Sequence, residues 1–274
     1  MKRFVYLLTP PWIYQQLLKI SRILNKSGLK PKWNTIENGL LKGHKLFVNN
    51  KTANFKEMVA GSYDNFFWNH IDVSEFGEGD QILDIGGHIG FHSMNFAKLV
   101  EGKGKVHVFE PNRFNVDRIK INLSENPTLK AVVNIHDVAL SNENRDDVEF
   151  TFSDCIDDET SSGGFIDGSF KPLADEVYAD NSFKKEKVKV RRLDDLVQEA
   201  GIGSVKMMKI DVEGAEQYVI EGALNTLKAN KPKLLIEIHS VIAMLNVTQL
   251  LYPLGYKIEV IQEEDAGRCF IKCV

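Results

Sequence analysis

Residues 81–90 read Gln81-Ile82-Leu83-Asp84-Ile85-Gly86-Gly87-His88-Ile89-Gly90. A short apolar run stops at glycines, and a stretch suited to a helix, about Phe91 to Val100, follows. Glycines here let the backbone turn sharply and let a ligand approach closely. A strand that opens through a tight loop into a helix is the repeating unit of parallel α/β sheets.

The surrounding sequence repeats that unit. Lys105–Phe109 alternates as a second strand, Asn112–Leu123 suits a helix, and Val132–Ala139 reads as a third strand. Further on come a short helix (Leu193–Glu199), a strand (Val205–Ile210), a helix (Ala215–Leu227), a strand (Lys233–Ile238) and a helix (Val241–Leu251). Tyr256–Ile261 and Cys269–Cys273 flank an acidic Gly-containing turn and predict a C-terminal hairpin. Five strands in right-handed βα units plus that hairpin predict a Rossmann-like α/β fold. In the middle, Glu149–Phe152 and Val188–Arg191 read as short strands. The residues between them are rich in Asp, Ser and Gly and suit a functional loop or a surface excursion.

Residues 1–60 read as an N-terminal accessory helical segment and residues 61–274 as the main domain. Trp12, Ile13, Leu17, Ile20, Ile23 and Leu24 recur at near-helical spacing beside Lys19, Arg22, Lys26 and Lys30. A helix packed on the domain is expected, with peripheral membrane contact as the second reading. Met1–Leu8 resembles a leader, but Pro10 and Pro11 end its apolar run and no small-residue cleavage site follows. The formal net charge is -4 with no long basic block, which argues against nucleic acid as partner. Cys155, Cys269 and Cys273 cannot all pair, so a reducing, cytoplasmic setting is expected.

The glycine loop departs from the dinucleotide fingerprint G-x-G-x-x-G, because His88 stands at the second glycine and would crowd a diphosphate. Asp84, just ahead of it, suits a cationic ligand. S-adenosyl-L-methionine meets both conditions: it has no phosphate and carries an ammonium and a sulfonium. Glu110 lies 20 residues beyond Gly90 at the next strand end, where an acid meets ribose hydroxyls. At the third strand end, Asp137-Val138-Ala139 would contact adenine. The expected cofactor set is therefore Asp84, Gly86, Gly87, His88, Gly90, Phe91, Glu110, Pro111, Asn112, Asp137, Val138, Ala139 and Asp211.

A second constellation follows the fourth and fifth strands. Asp211 and Glu213 lie beyond Ile210, and Glu237 and His239 share one face at the end of the next strand. They form the expected catalytic group. His239, near neutrality in pKa, is the leading base for a hydroxyl nucleophile and Asp211 the second. No metal ligands are assigned. His88 and His92 lack a following glutamate, the acidic run at Asp154, Asp157, Asp158 and Glu159 lacks calcium-loop spacing, and nothing demands an ion on Asp211 and Glu237.

The segments ILDIGGHIGFHSM (82–94), VFEPN (108–112), HDVALSN (136–142), RRLDDL (191–196), MKIDVEGAE (208–216) and PKLLIEIH (232–239) occur in one order. In this the chain resembles the FkbM family of methyltransferases. The resemblance implies a class I methyltransferase domain with a seven-stranded, mostly parallel sheet and one antiparallel strand. It also implies methyl transfer from S-adenosyl-L-methionine to an oxygen, commonly a hydroxyl of a sugar, glycan or secondary metabolite. Asp84, Gly86, Gly90, Glu110, Asp211 and Glu213 carry over directly, whereas His88 stands where asparagine is usual. The loop before RRLDDL is implied to face the acceptor through Ser161, Ser162, Gly163 and Gly164. Tyr63, in a segment expected to border the cofactor, completes the substrate set. The rival expectations are an NAD-dependent oxidoreductase, disfavoured by His88, and a catalytically silent scaffold that keeps the fold.

Overall fold

In the computed structural model, strand β3 (Gln81–Ile85) is buried along nearly its whole length. Its side chains alternate between two apolar clusters: Ile82 enters one, Leu83 and Ile85 the other. β4 (Lys105–Phe109), β10 (Val205–Ile210) and β11 (Lys233–Ile238) divide their side chains between the same two clusters. Strands buried on both faces belong at the centre of a parallel sheet. The residues described are 30–100, 102–153, 164–166, 183–264 and 267–274.

With β5 (Val133–His136), β12 (Ile258–Glu263) and β13 (Cys269–Cys273), these strands form a seven-stranded sheet of order β12-β13-β11-β10-β3-β4-β5. The pairings β11–β10, β10–β3, β3–β4 and β4–β5 are parallel. β13 runs antiparallel to both its neighbours. This is the class I methyltransferase arrangement, with the expected C-terminal hairpin at one edge.

The expected third strand, 132–139, is two strands in two sheets. β5 stops at His136, whose carbonyl accepts N–H groups from both Glu110 (3.1 Å) and Val138 (2.9 Å). Ala139 and Leu140 then form β6, in a second sheet of order β6-β9-β7-β8 with β7 (Arg145–Ser153), β8 (Phe165–Ile166) and β9 (Phe183–Arg191). The two middle strands are thus far longer than expected. The helix expected over 215–227 also divides, into Glu216–Glu221 and Leu224–Asn230. Gly222 marks the break, because a Cβ there would lie 2.0 Å from the Ser141 carbonyl oxygen. Asp194, from the RRLDDL segment, caps the second piece by accepting the Asn225 and Thr226 N–H groups at 3.0 and 2.8 Å.

Residues 32–60 are not purely helical. β1 (Lys32–Thr35) and β2 (Lys45–Val48) make a hairpin, followed by helix α1 (Ala53–Ala60). Leu46, Val48, Phe55 and Met58 join the same apolar cluster as Ile82 and Val106. The helix expected around Trp12–Leu24 lies outside the described residues. Among those described, no helix is long and apolar enough to cross a membrane.

The hairpin is held by polar side chains four residues apart on and just after helix α4, our label for Arg113–Ser124. α2 and α3 are the preceding helices Asn65–Trp68 and Phe91–Leu99. Arg118 donates to the Phe47 carbonyl at 2.9 Å. Asn122 accepts the Phe47 N–H at 2.7 Å and donates to the Ile89 carbonyl at 2.9 Å. Asn126 accepts the Lys45 N–H at 3.1 Å and donates to its carbonyl at 2.8 Å. Buried backbone groups left without partners are costly. Asn122→Ala is expected to lower unfolding stability by about 2–3 kcal/mol, measured by chemical denaturation.

Candidate active site

β3 and β10 are neighbours, but the sheet continues to β4 and β5 on one side and to β11 and β13 on the other. Ligands of open α/β sheets bind at such a switch in strand order, beyond the carboxyl ends of the strands. Here the two outgoing loops touch. Gly86 has φ +82°, and a Cβ on it would sit 1.7 Å from the Asp211 carbonyl oxygen. The Asp211 N–H in turn donates to the Ile85 carbonyl at 3.0 Å. Only glycine fits at residue 86. Gly87 and Gly90 serve packing instead, since Cβ atoms there would press on Val108 and Ile119. His88 adopts φ +48°, a left-handed conformation that His and Asn tolerate better than most residues.

The His88 N–H donates to Glu110 at 2.8 Å, which ties the glycine loop to the end of β4. Glu110 also accepts from the Asn112 N–H (2.9 Å) and the Asn115 amide (3.4 Å). Burial pushes the Glu110 carboxyl up to about 7, against these hydrogen bonds and the more distant Lys209 ammonium.

Asp84 does not line the crevice. It is fully buried, accepts a hydrogen bond from Ser93 and lies 3.3 Å from Lys209 Nζ. The same ammonium lies 3.5 Å from Asp211 and donates to the Gly86 carbonyl at 3.0 Å. Burial works against the charge on Lys209, but Asp84 and Asp211 outweigh it and hold its pKa above the ordinary value. Asp84 is therefore neutralised within the protein, and its expected attraction for a cationic ligand is not available.

His239 also differs from expectation. Its side chain is only 4% exposed, behind the cavity wall. Nδ1 lies 2.7 Å from Glu216, and Nε2 lies 3.2, 3.4 and 3.9 Å from Glu213, Glu237 and Asp211. Burial alone would lower its pKa, but Glu213, Glu216 and Glu237 raise it far above neutrality. An imidazole that already carries its proton cannot act as the base. Burial and repulsion from Asp211 raise Glu237, which also pairs with Arg268. Burial would raise Asp211 too, yet Lys209 and His239 bring it below the usual carboxylate range. Ligand atoms of Asp211, Glu237 and His239 lie within 4.8 Å of one another, close enough to share one ion.

A cavity of about 240 Å³ occupies the crevice. Of the expected cofactor residues, Gly86, His88, Glu110, Pro111, Asn112, Ala139 and Asp211 line it. Asp84, Gly87, Gly90 and Phe91 lie beneath it or in the packing around it, Val138 packs into the core, and Asp137 is exposed. Of the expected catalytic residues, Asp211, Glu213 and Glu237 reach the wall and His239 does not. Tyr63 and Gly164 line it as well, whereas Ser161, Ser162 and Gly163 lie outside the described residues. Burial, with the charges of Asp64 and Asp211, raises the Tyr63 phenol above its ordinary value, so it stays a neutral donor. The sequence did not reveal Thr52, Asn54, Phe55, Met58, Asn115 or Arg268 as wall residues. A lysine set among Met207, Met208 and Ile210, all apolar, was the available signal for Lys209. Arg268 reaches the site through hairpin geometry and left no such signal.

The fold is that of the class I methyltransferases, with this crevice at the switch in strand order. The family model for the methyltransferase FkbM domain matches residues 84–258, and the chain belongs to that family. S-adenosyl-L-methionine is its cofactor. The hexuronic acid methyltransferase AglP of Haloferax volcanii is 28% identical over 182 residues, covering 65% of this chain and 64% of the relative. The 2-O-methyltransferase NoeI of Sinorhizobium fredii is 31% identical over 149 residues, covering 53% and 58%. The matches thus span somewhat less than two thirds of these curated relatives. The crystal structure of methyltransferase FkbM from Methylobacillus flagellatus KT shares the fold at TM-score 0.53 and 17% identity, covering 75% of this chain and 45% of that one.

Glu110 is the acid expected to accept the ribose hydroxyls, and burial raises its pKa to about 7. Its raised pKa means that the accepting, ionised form is lost as pH falls through that value. Affinity for S-adenosylhomocysteine is therefore expected to be about tenfold weaker at pH 6 than at pH 8, by isothermal titration calorimetry.

Proposed function

We propose that this chain transfers a methyl group from S-adenosyl-L-methionine to a hydroxyl of a sugar, in a glycan or glycan precursor. The observation that carries this reading is the convergence of Glu110 and the group Asp211, Glu213 and Glu237 on one cavity. Glu110 suits the ribose. The acidic group lies beyond the ends of β10 and β11, where a hydroxyl acceptor would meet the donor methyl. The names of the two curated relatives, one acting on hexuronic acid and one a 2-O-methyltransferase, support a sugar as acceptor.

When bound, S-adenosyl-L-methionine supplies a methyl carbon on a sulfonium, whose C–S bond breaks toward sulfur as the new C–O bond forms. The protein's part is mainly to hold the acceptor oxygen in line with that carbon. Glu213 and Glu237, on the wall, are placed to take the hydroxyl proton. Tyr63, a neutral phenol lining the same cavity, donates a hydrogen bond to an acceptor oxygen. The Arg268 guanidinium on the same wall favours acceptors with an anionic group, such as a uronate.

Incubation with methyl-labelled cofactor and a panel of uronate-containing and neutral glycans is expected to give label in glycan that withstands alkali, as an ether does. Label released by alkali as methanol would mean ester formation on a carboxyl, and label in nucleic acid or amines would redirect the assignment. Glu213→Gln is expected to reduce kcat by about 100-fold or more while leaving S-adenosylhomocysteine affinity within about twofold, by initial rates and calorimetry. Absence of turnover on every acceptor would favour the silent scaffold.

A further inference from the structure

We propose that Asp211, Glu237 and His239 bind a divalent cation of the manganese class on the cavity wall. Glu213 stands beside them as a further oxygen donor. On the transferase reading above, the ion also binds and acidifies the acceptor hydroxyl.

Three features of the site support this. Donor atoms within 4.8 Å of one another match the span of ligands around a single ion, whose bonds to oxygen and nitrogen run about 2.0–2.6 Å. The His239 ring is oriented from behind: Glu216, fully buried, lies 2.7 Å from Nδ1 and also accepts the Gly214 N–H at 2.9 Å. A carboxylate on one ring nitrogen is the usual means of fixing the other toward a metal. The third feature is Nε2 itself. It is buried, satisfies no full hydrogen-bond geometry, and lies 3.2, 3.4 and 3.9 Å from the Glu213, Glu237 and Asp211 oxygens.

The charge around it favours an ion. Four carboxylates (Asp211, Glu213, Glu216 and Glu237) surround one imidazole. The nearby cations are each divided between this cluster and a further carboxylate, Lys209 between Asp211 and Asp84 and Arg268 between Glu237 and Glu264. Grouped buried carboxylates are costly unless compensated. A divalent ion in place of the single His239 proton supplies that compensation. Oxygen donors with one imidazole and no thiolate suit Mn²⁺ better than the softer metals. Asp211 and Glu213 stay about one-third exposed, so the ion keeps a face open to the cavity for a water or hydroxyl ligand.

The test is a Mn²⁺ titration of the full chain without cofactor, following loss of the free-ion signal by electron paramagnetic resonance. A single ion per chain at sub-millimolar Mn²⁺ is expected. Glu237→Gln and, separately, Asp211→Asn are each expected to weaken binding at least about tenfold, with circular dichroism reporting the fold. No bound Mn²⁺ at millimolar concentration would overturn the proposal, leaving a protonated His239 to hold the cluster alone. Wild-type affinity in both variants would overturn it equally. S-adenosylhomocysteine binding by the same preparation separates the two readings. Its retention without Mn²⁺ binding removes only the ion, and its loss with Mn²⁺ bound removes only the transferase assignment.

Discussion

The Lys209 ammonium, 4% exposed, sits between two strand ends and touches Asp84, Asp211 and the Gly86 carbonyl. A buried charge is tolerated only when its partners are fixed around it, so this contact sets the position of the β10 exit relative to the β3 exit. The absence of a side chain on Gly86 lets the two loops close on each other. The width of the crevice follows from these two constraints. The Lys209 charge also reaches a carboxylate that lines it: against burial, it helps to hold Asp211 below the usual range.

The crevice is electrically divided. On the β4 side, Glu110 is satisfied by backbone and amide donors and titrates near neutrality. On the β10 and β11 side, several carboxylates crowd one imidazole. The first arrangement suits a neutral diol, whose hydroxyls need acceptors. The second suits a reacting centre where positive charge and a departing proton must be managed. One cavity thus offers two chemically distinct ends, as a two-substrate transfer requires.

Much of this was legible because strand periodicity and loop composition are local properties. The run Ile82–Ile85 before Gly86, the acid at Glu110 and the segment around Asp211 placed the sheet centre and several of the residues that line the cavity. What stayed hidden depends on contacts between distant segments. Asp84 reads as a ligand carboxylate until Lys209, 125 residues on, is seen beside it. His239 reads as a free base until Glu213, Glu216 and Glu237 are found around it. The helix break at Gly222 arises from the approach of the Ser141 carbonyl, and the end of β5 from hydrogen bonds at His136. Neither leaves a periodic trace. The role of α1 was missed because its apolar residues serve the shared core and the cavity at once.

The pocket's walls come from places far apart in the chain: Asn54 and Phe55 from α1, Phe150 and Phe165 from the second sheet, Arg268 from the terminal hairpin. A partly folded chain lacking any one of these pieces would offer no complete receptor for the donor. Ligand free energy is then available only to the finished tertiary structure and stabilises it against every opening, local or global, that detaches one of these walls. A destabilising substitution anywhere in the molecule, including in the hairpin held by Arg118 and Asn122, becomes a candidate for rescue by excess cofactor.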